Sequence, residues 1–272
     1  MKRKLQTILQ NLVAWIFSAI IVVPIIIIAL NSFKNVRESN SMDFHLPSAW
    51  EFSYYLDVIK RGNLLIGFRN SFSYALISTL ILLAVTLPCA FVLQRRASRL
   101  YRILYYVLII GIALPLNNIA LMKVMVGLHL MNTRTGIYLL YAAIGLPLSV
   151  FIAHGFMSGI PRELDEAAVI DGCSSGKLFL KVILPLLKPV ASTLFILNFL
   201  NTWNDFTMAI YFLNGSDKMP VTLSVYNFFG QYQKSWNLVC ADIMLTALPV
   251  LLVYLFAQKY IIQGLTSGAV KG

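Results

Sequence analysis

Gly172-Cys173-Ser174-Ser175-Gly176-Lys177-Leu178 comes nearest to a phosphate-binding loop in this 272-residue chain. A P-loop needs four residues between its outer glycines, so that backbone N–H groups wrap a phosphate, and a Ser or Thr after the lysine to hold magnesium. Three residues separate Gly172 from Gly176, Leu178 stands where the hydroxyl belongs, and no buried strand precedes the stretch. The chain is not expected to bind nucleotide, and no cofactor is expected in it. His45, His129 and His154 lie far apart, as do Cys89, Cys173 and Cys240, so neither a metal site nor a disulfide framework is expected. No His, Cys or paired carboxylate has catalytic spacing, so no catalytic residue is assigned and a membrane enzyme is disfavoured.

Polar side chains inside an apolar run are the next candidates. Asn198, Asn201, Trp203, Asn204 and Asp205 fall within a stretch otherwise apolar enough to cross a bilayer. Ionisable and polar groups at membrane depth face a bundle interior or a water-filled cavity. On a continuous helix Asn198, Asn201 and Asp205 share one face. Three readings stay open: helix-to-helix hydrogen bonding or a gate, which is preferred; contact with a polyhydroxylated solute, with Trp203 and Tyr211 as aromatic neighbours; and a proton carrier at Asp205 in an ion-coupled secondary transporter, with Asp242 as a second acid for that reading.

The elements that would position these residues follow from composition. Hydrophobic residues make up 58% of the chain and charged residues 12%, about half the share of a soluble domain. An all-α, polytopic membrane protein of one domain is expected over residues 1–272, with six spans near 12–30, 71–93, 103–121, 136–156, 190–213 and 238–258. The first uncharged run is too long for a cleaved signal and is read as a retained span that stands apart from the rest. Pro115, Asn117 and Asn118 interrupt span three, the asparagines satisfying carbonyls freed by the proline. His154 is read as a packing residue. The net charge is +11, but the basic residues are scattered between apolar runs, which fits membrane orientation and not nucleic-acid binding. With both termini inside, inner segments hold thirteen basic residues and outer segments nine. The short connection carrying Arg95, Arg96, Arg99 and Arg102 decides the orientation, because short loops carry the positive-inside signal best.

The segment 161–189 then lies on the inner side. Pro161 suits a first helical position, and Glu163, Asp165 and Glu166 suit the positive end of a helix. Leu164, Ala167 and Ala168 share a face, Gly172 can turn left-handed, and Ser174 or Ser175 can cap a second short helix. Helix, glycine turn and helix are thus expected in order, ending at Leu184-Pro185.

This stretch resembles the EAA loop of the membrane subunits of ATP-binding-cassette importers. The matching residues are Glu166, Ala167, Ala168, Asp171, Gly172, Leu184 and Pro185, with Val182 where the family usually has Ile. Trp203-Asn204-Asp205-Phe206 is similar to the WNDF segment of carbohydrate importer permeases. The ending Gln258-Lys259-Tyr260, with Gly264 to Gly272, is similar to their GLTxGAVKG terminus. The resemblance covers nearly the whole chain and is nearest the shorter, six-span maltose-type subunit. It implies a type I importer permease fold in a prokaryotic inner membrane. It also implies a second permease subunit as heterodimer partner, two ATPase subunits that hold ATP and magnesium, and an extracytoplasmic sugar-binding protein. The loop would couple ATPase closure to alternating access. Gly268, Ala269, Val270, Lys271 and Gly272 would make a second ATPase contact, and residues 214–237 would meet the binding protein. The implied cargo is a di- or oligosaccharide.

Overall fold

The computed structural model describes residues 2–96, 98–228 and 235–269, and all regular structure among them is helical. Helices α1 (Lys2–Asn31), α2 (Val36–Ser39) and α3 (Ser53–Arg61) precede α4 (Leu64–Arg95). Then come α5 (Arg99–Ala113), α6 (Asn118–Gly127), α7 (Arg134–Met157), α8 (Glu163–Ile170) and α9 (Ser175–Leu178). A π turn over Phe179–Ile183 leads into α10 (Leu184–Leu186), α11 (Lys188–Asn204), α12 (Thr207–Phe212) and, last, α13 (Trp236–Ala269).

Four stretches are long and apolar enough by themselves to cross a bilayer: Gln6–Asn31, Leu64–Arg95, Arg134–Met157 and Trp236–Leu255. Ser175–Leu186 with Lys188–Asn204 makes a fifth apolar path, bent by 73°. Two of the six expected spans are not continuous helices: the third, where an interruption is expected, and the fifth, where none is. The span expected at 103–121 is divided between α5 and α6 by residues 114–117, and the 15 residues of α5 fall short of the ~20 a straight crossing needs. Asn117 sits at that break with its Oδ1 accepting the Ala120 N–H at 3.0 Å. It caps the new helix instead of serving carbonyls freed by Pro115, as expected. The span expected at 190–213 is divided at Asp205 and Phe206.

The chain forms two compact units. The first holds residues 1–67 and 223–249. Its α1 is apolar on every side, and none of its most apolar stretch is buried. Such a helix needs lipid or another protein around it. The residues after it fold back on themselves. Lys34, 1% exposed, pairs with Asp43 at 2.6 Å, and Asn31 donates to the Asp43 carbonyl. Phe33 packs against Trp50, Phe52 and Tyr55. The Lys34 ammonium, with help from His45 and Ser41, holds the Asp43 carboxyl well below the usual carboxylate range. In the same unit Ser224 donates to the buried Asp242, and Asn227 donates to the Gly62 carbonyl.

The second unit holds residues 68–222 and 250–272 and carries the candidate sites. One end is stitched by hydrogen bonds. Asn70 Nδ2 donates to the carbonyls of Asp217 and Met219, Tyr74 to that of Lys218, and Arg134 to that of Asp217. At the other end Leu87 and Ala90 of α4, Ala153 and Met157 of α7, Ala168 of α8, Leu178 of α9, and Val190 and Leu194 of α11 form one apolar core. Between these ends, Gly111 of α5 meets Pro147 of α7 with no room to spare, since a Cβ there would lie 3.0 Å from the proline ring.

Candidate functional site

Two places in the second unit gather the residues singled out from sequence. The first is the loop between α7 and α11. Glu163, Asp165 and Glu166 occupy the first turn of α8, where free N–H groups favour negative charge. Pro161 lies one residue before the cap Arg162, not at the first helical position. The helix ends in a full Schellman turn: Cys173 N–H donates to Ala168 O at 2.9 Å, and Gly172 N–H donates to Val169 O at 3.0 Å. Gly172 has φ +78°, the left-handed region. Ser174 takes the cap position of α9 with extended backbone but makes no side-chain cap bond.

Ala168 is buried in the apolar core. The close approach it permits is therefore to its own chain, whereas Glu166, Ala167, Asp171 and Gly172 are exposed. Val169 and Ile170 are exposed too, Ile170 at 85%. One face of α8 is thus rooted in the protein and the opposite face offers bare apolar surface. Leu184 is half-buried and Pro185 exposed, just beyond the π turn.

Sequence reasoning missed what holds this loop. Arg95, last residue of α4, pairs through Nε with Asp165 Oδ2 at 2.5 Å. Its Nη1 and Nη2 both donate to the Ile160 carbonyl at 3.2 Å. Both side chains are largely buried, at 11% and 17% exposure. Arg162 adds a bond to the Gln94 carbonyl. In the sequence Arg95 reads only as an orientation signal, and no local pattern links it to Asp165, 70 residues on.

The second place is a cavity of about 350 Å³. Asn198, Asn201 and Asp205 line it, together with Tyr141, Gly145 and Thr202. The three sequence candidates do come together, but not on one helix face. The helix α11 ends at Asn204, and Asp205 is extended at ψ 134°. Its Oδ2 accepts from the N–H groups of Met208 (2.9 Å) and Ala209 (3.3 Å) and from Tyr141 OH (2.8 Å). Thr222 donates to its carbonyl. Asp205 thus caps α12 and ties the break to α7, a placement that supplies backbone donors to a carboxylate at an interrupted helix. Asn198 Nδ2 crosses to Ser149 Oγ of α7 at 3.1 Å. Its Oδ1 lies where a Cβ on Gly145 would meet it at 2.5 Å.

Trp203 and Asn204 are not in the lining. Trp203 is buried against Phe199 and Phe68, and Tyr211 also lies outside the cavity. Tyr141, Gly145 and Leu148 were missed, although their spacing of four and three residues puts them on one face of α7. In the carboxy-terminal region, Gly268 and Ala269 end α13, while Val270, Lys271 and Gly272 lie outside the described residues. Of the segment expected to meet a binding protein, 221–228 form 3₁₀ turns and 229–234 also lie outside them. No group of His, Cys, Asp and Glu able to hold a metal ion occurs among the described residues.

The second unit thus holds a helix break capped by an acid, a cavity beside it lined by both polar and apolar side chains, and a rooted loop with a bare apolar face. Residues 64–267 match the family model of the binding-protein-dependent transport system inner membrane component, and the chain belongs to that family. It is a multi-pass membrane protein. The "Probable starch degradation products transport system permease protein AmyC" of Thermoanaerobacterium thermosulfurigenes is 32% identical over 271 residues, covering 99% of each chain. The "Melibiose/raffinose/stachyose import permease protein MelC" of Bacillus subtilis strain 168 is 34% identical over 253 residues, covering 92% of this chain and 91% of its own. Among solved structures, a chain of a bacterial ABC transporter involved in import of the acidic polysaccharide alginate superposes with TM-score 0.84. It covers 94% of this chain and 96% of its own at 22% identity, and so speaks for the fold.

Proposed function

We propose that this chain is one permease subunit of an ATP-driven, binding-protein-dependent importer of di- or oligosaccharides. The cargo class is supported by relatives named for starch degradation products and for melibiose, raffinose and stachyose. The drive is supported by the loop. Its α8 turns back through a left-handed glycine, presents Val169 and Ile170 outward, and is fixed to α4, α7 and α11 through one core. An ATPase cleft that grips α8 would therefore move the helix ends as one body, a rigid-body relay between inward- and outward-facing states. ATP and magnesium belong to two ATPase subunits, a second permease completes the pathway, and an extracytoplasmic protein delivers the sugar. Both termini are cytoplasmic in this reading, and Gly268 to Gly272 reach towards the ATPase. The loop is the single observation that carries it.

The cavity at Asn198, Asn201 and Asp205 is this chain's share of the pathway. Its amides and hydroxyls suit sugar hydroxyls, and Asp205 keeps the adjoining break open. The secondary-transporter alternative is disfavoured, because one oxygen of Asp205 is already committed to two backbone N–H groups and a tyrosine.

Co-purification with a candidate ATPase, then uptake of a labelled sugar panel into proteoliposomes, tests the assignment. ATP-dependent uptake of an oligosaccharide is expected. Uptake that needs no ATPase and collapses with the ion gradient would overturn it.

A further inference from the structure

A second, smaller cavity of about 230 Å³ lies where α4 ends and α5 begins. Arg96 and Arg102 line it, with Ser98, Tyr105, Tyr106 and His154. Neither arginine has a carboxylate partner among the described residues, and no carboxylate lines the cavity. The nearby Arg95 differs: it is taken up by Asp165. Arg102, Tyr105 and Tyr106 stand at i, i+3 and i+4, so one face of α5 presents a guanidinium and two phenols together. Tyr105 stacks on His154 at 4.0 Å and gives the cavity a firm side.

Arg96 lies over the Tyr101 ring, 5.8 Å from its centre, and this contact leaves its positive charge unneutralised. Two guanidinium groups that line one cavity with no carboxylate between them favour an anion there, and planar guanidinium forks match phosphate oxygens. What adjoins the cavity decides which phosphate. No residue of α5 is buried, and Leu100, Ile103 and Val107 leave an uncovered apolar face running away from the arginines. A charged head site continuous with a bare apolar helix face has the form of a lipid: phosphate at the arginines, acyl chain along α5.

We infer that this cavity binds the phosphate of an anionic phospholipid headgroup, and so fixes the α4–α5 turn to the membrane beside Arg95. The site is separate from the sugar pathway and does not depend on the cargo.

Native mass spectrometry of the purified full chain tests this, with phosphatidylglycerol and phosphatidylcholine of matched chains offered separately. The native chain should retain phosphatidylglycerol over phosphatidylcholine. The double variant Arg96→Gln/Arg102→Gln should weaken phosphatidylglycerol retention by roughly thirtyfold, taking about fivefold per basic residue near an anionic surface. Arg99→Gln removes one charge from the same helix end outside the cavity lining, and should lose no more than the about fivefold that any one basic residue near an anionic surface supplies. Arg96→Lys/Arg102→Lys keeps the charge and should restore most retention, which separates binding from misfolding. Equal retention of the two lipids would overturn the proposal, as would an equal loss in Arg99→Gln. Inorganic phosphate at millimolar concentration forms the last arm. Its failure to displace the lipid supports the membrane source, and its stripping of the lipid from the native chain would reject that source in favour of soluble phosphate.

Discussion

The loop end and the cavity of the second unit are built from opposite materials. At the loop end, helices meet through an apolar core, and the largely buried Arg95–Asp165 pair closes it. At the cavity, helices are interrupted, and amides, hydroxyls and one carboxylate fill the gaps. Close-packed apolar cores transmit displacement because they do not deform continuously. Broken helices held by capping bonds can rearrange, since each bond has water or a solute hydroxyl as a substitute partner. In the proposed function, force transmission belongs to the first region and solute passage to the second. Substitutions that exchange these properties test it.

Arg95→Ala should have the largest effect. It leaves Asp165 without its cation and the Ile160 carbonyl without its donors. Breaking a buried pair from one side costs about 3–5 kcal/mol, and the solvent this pair retains brings the expectation to about 2–3 kcal/mol. Thermal unfolding of the purified protein reads that loss, and ATP-driven uptake should fall at least about tenfold even where the protein inserts. Asp165→Asn, which keeps an acceptor for Arg95, should lose less.

Gly145→Ala tests the cavity by filling it. The added carbon would meet Asn198 Oδ1 at 2.5 Å and Leu82 Cδ1 at 2.8 Å. Overpacking of this kind costs about 1–3 kcal/mol, and uptake should fall while ATPase binding stays at the native level. A loss of ATPase binding in this variant would break the division of roles.

Asp205→Ala removes a cap and leaves Tyr141 without its acceptor, for about 1–2 kcal/mol. Asp205→Asn keeps an acceptor oxygen and should retain most uptake. A proton carrier would lose all function in either variant, so the pair of variants separates a cap from a carrier.

Gly172→Val sharpens the loop side. A side chain there meets no atom within 4 Å, so its cost is conformational, about 1–2 kcal/mol for a left-handed residue. Gly172→Asn tolerates that conformation and should behave almost as the native chain in ATPase co-purification.

The smallest effect on uptake is expected in the first unit. The depressed Asp43 carboxyl contributes stability that is complete above the ordinary carboxylate pKa of about 4 and is lost as pH falls through the lower folded value. Asp43→Asn should therefore lower stability at neutral pH, because the buried Lys34 ammonium loses its carboxylate, and flatten the acid limb of unfolding, while uptake by the folded protein stays at the native level.

Some of this was legible in the residues and some was not. Gly172 was readable because a Schellman turn requires a residue free to adopt positive φ, and few others serve. The acids of α8 and the helix–turn–helix order followed from the same local rules. Asp205 was readable as a polar residue within an apolar run but not as a helix break. Trp203-Asn204-Asp205 fits a continuous helix locally, and the interruption is set by the amides of Met208 and Ala209 and by Tyr141, 64 residues away. Trp203 misled because an aromatic beside polar residues suggests a sugar platform, whereas tertiary packing against Phe199 buried it. The Arg95–Asp165 pair, 70 residues apart, was invisible to any local pattern.

The most direct test of the coupling role is cross-linking from α8. Ile170→Cys, in a background with Cys173→Ser, is reconstituted with the candidate ATPase carrying single cysteines around its surface cleft, and ATP-driven oligosaccharide uptake is followed before and after oxidation. The account predicts a cross-link at Ile170, uptake blocked by oxidation and restored by reduction, and none of this from an exposed control such as Lys60→Cys. Uptake that proceeds unchanged with α8 cross-linked, or an ATPase that never reaches Ile170, would contradict it.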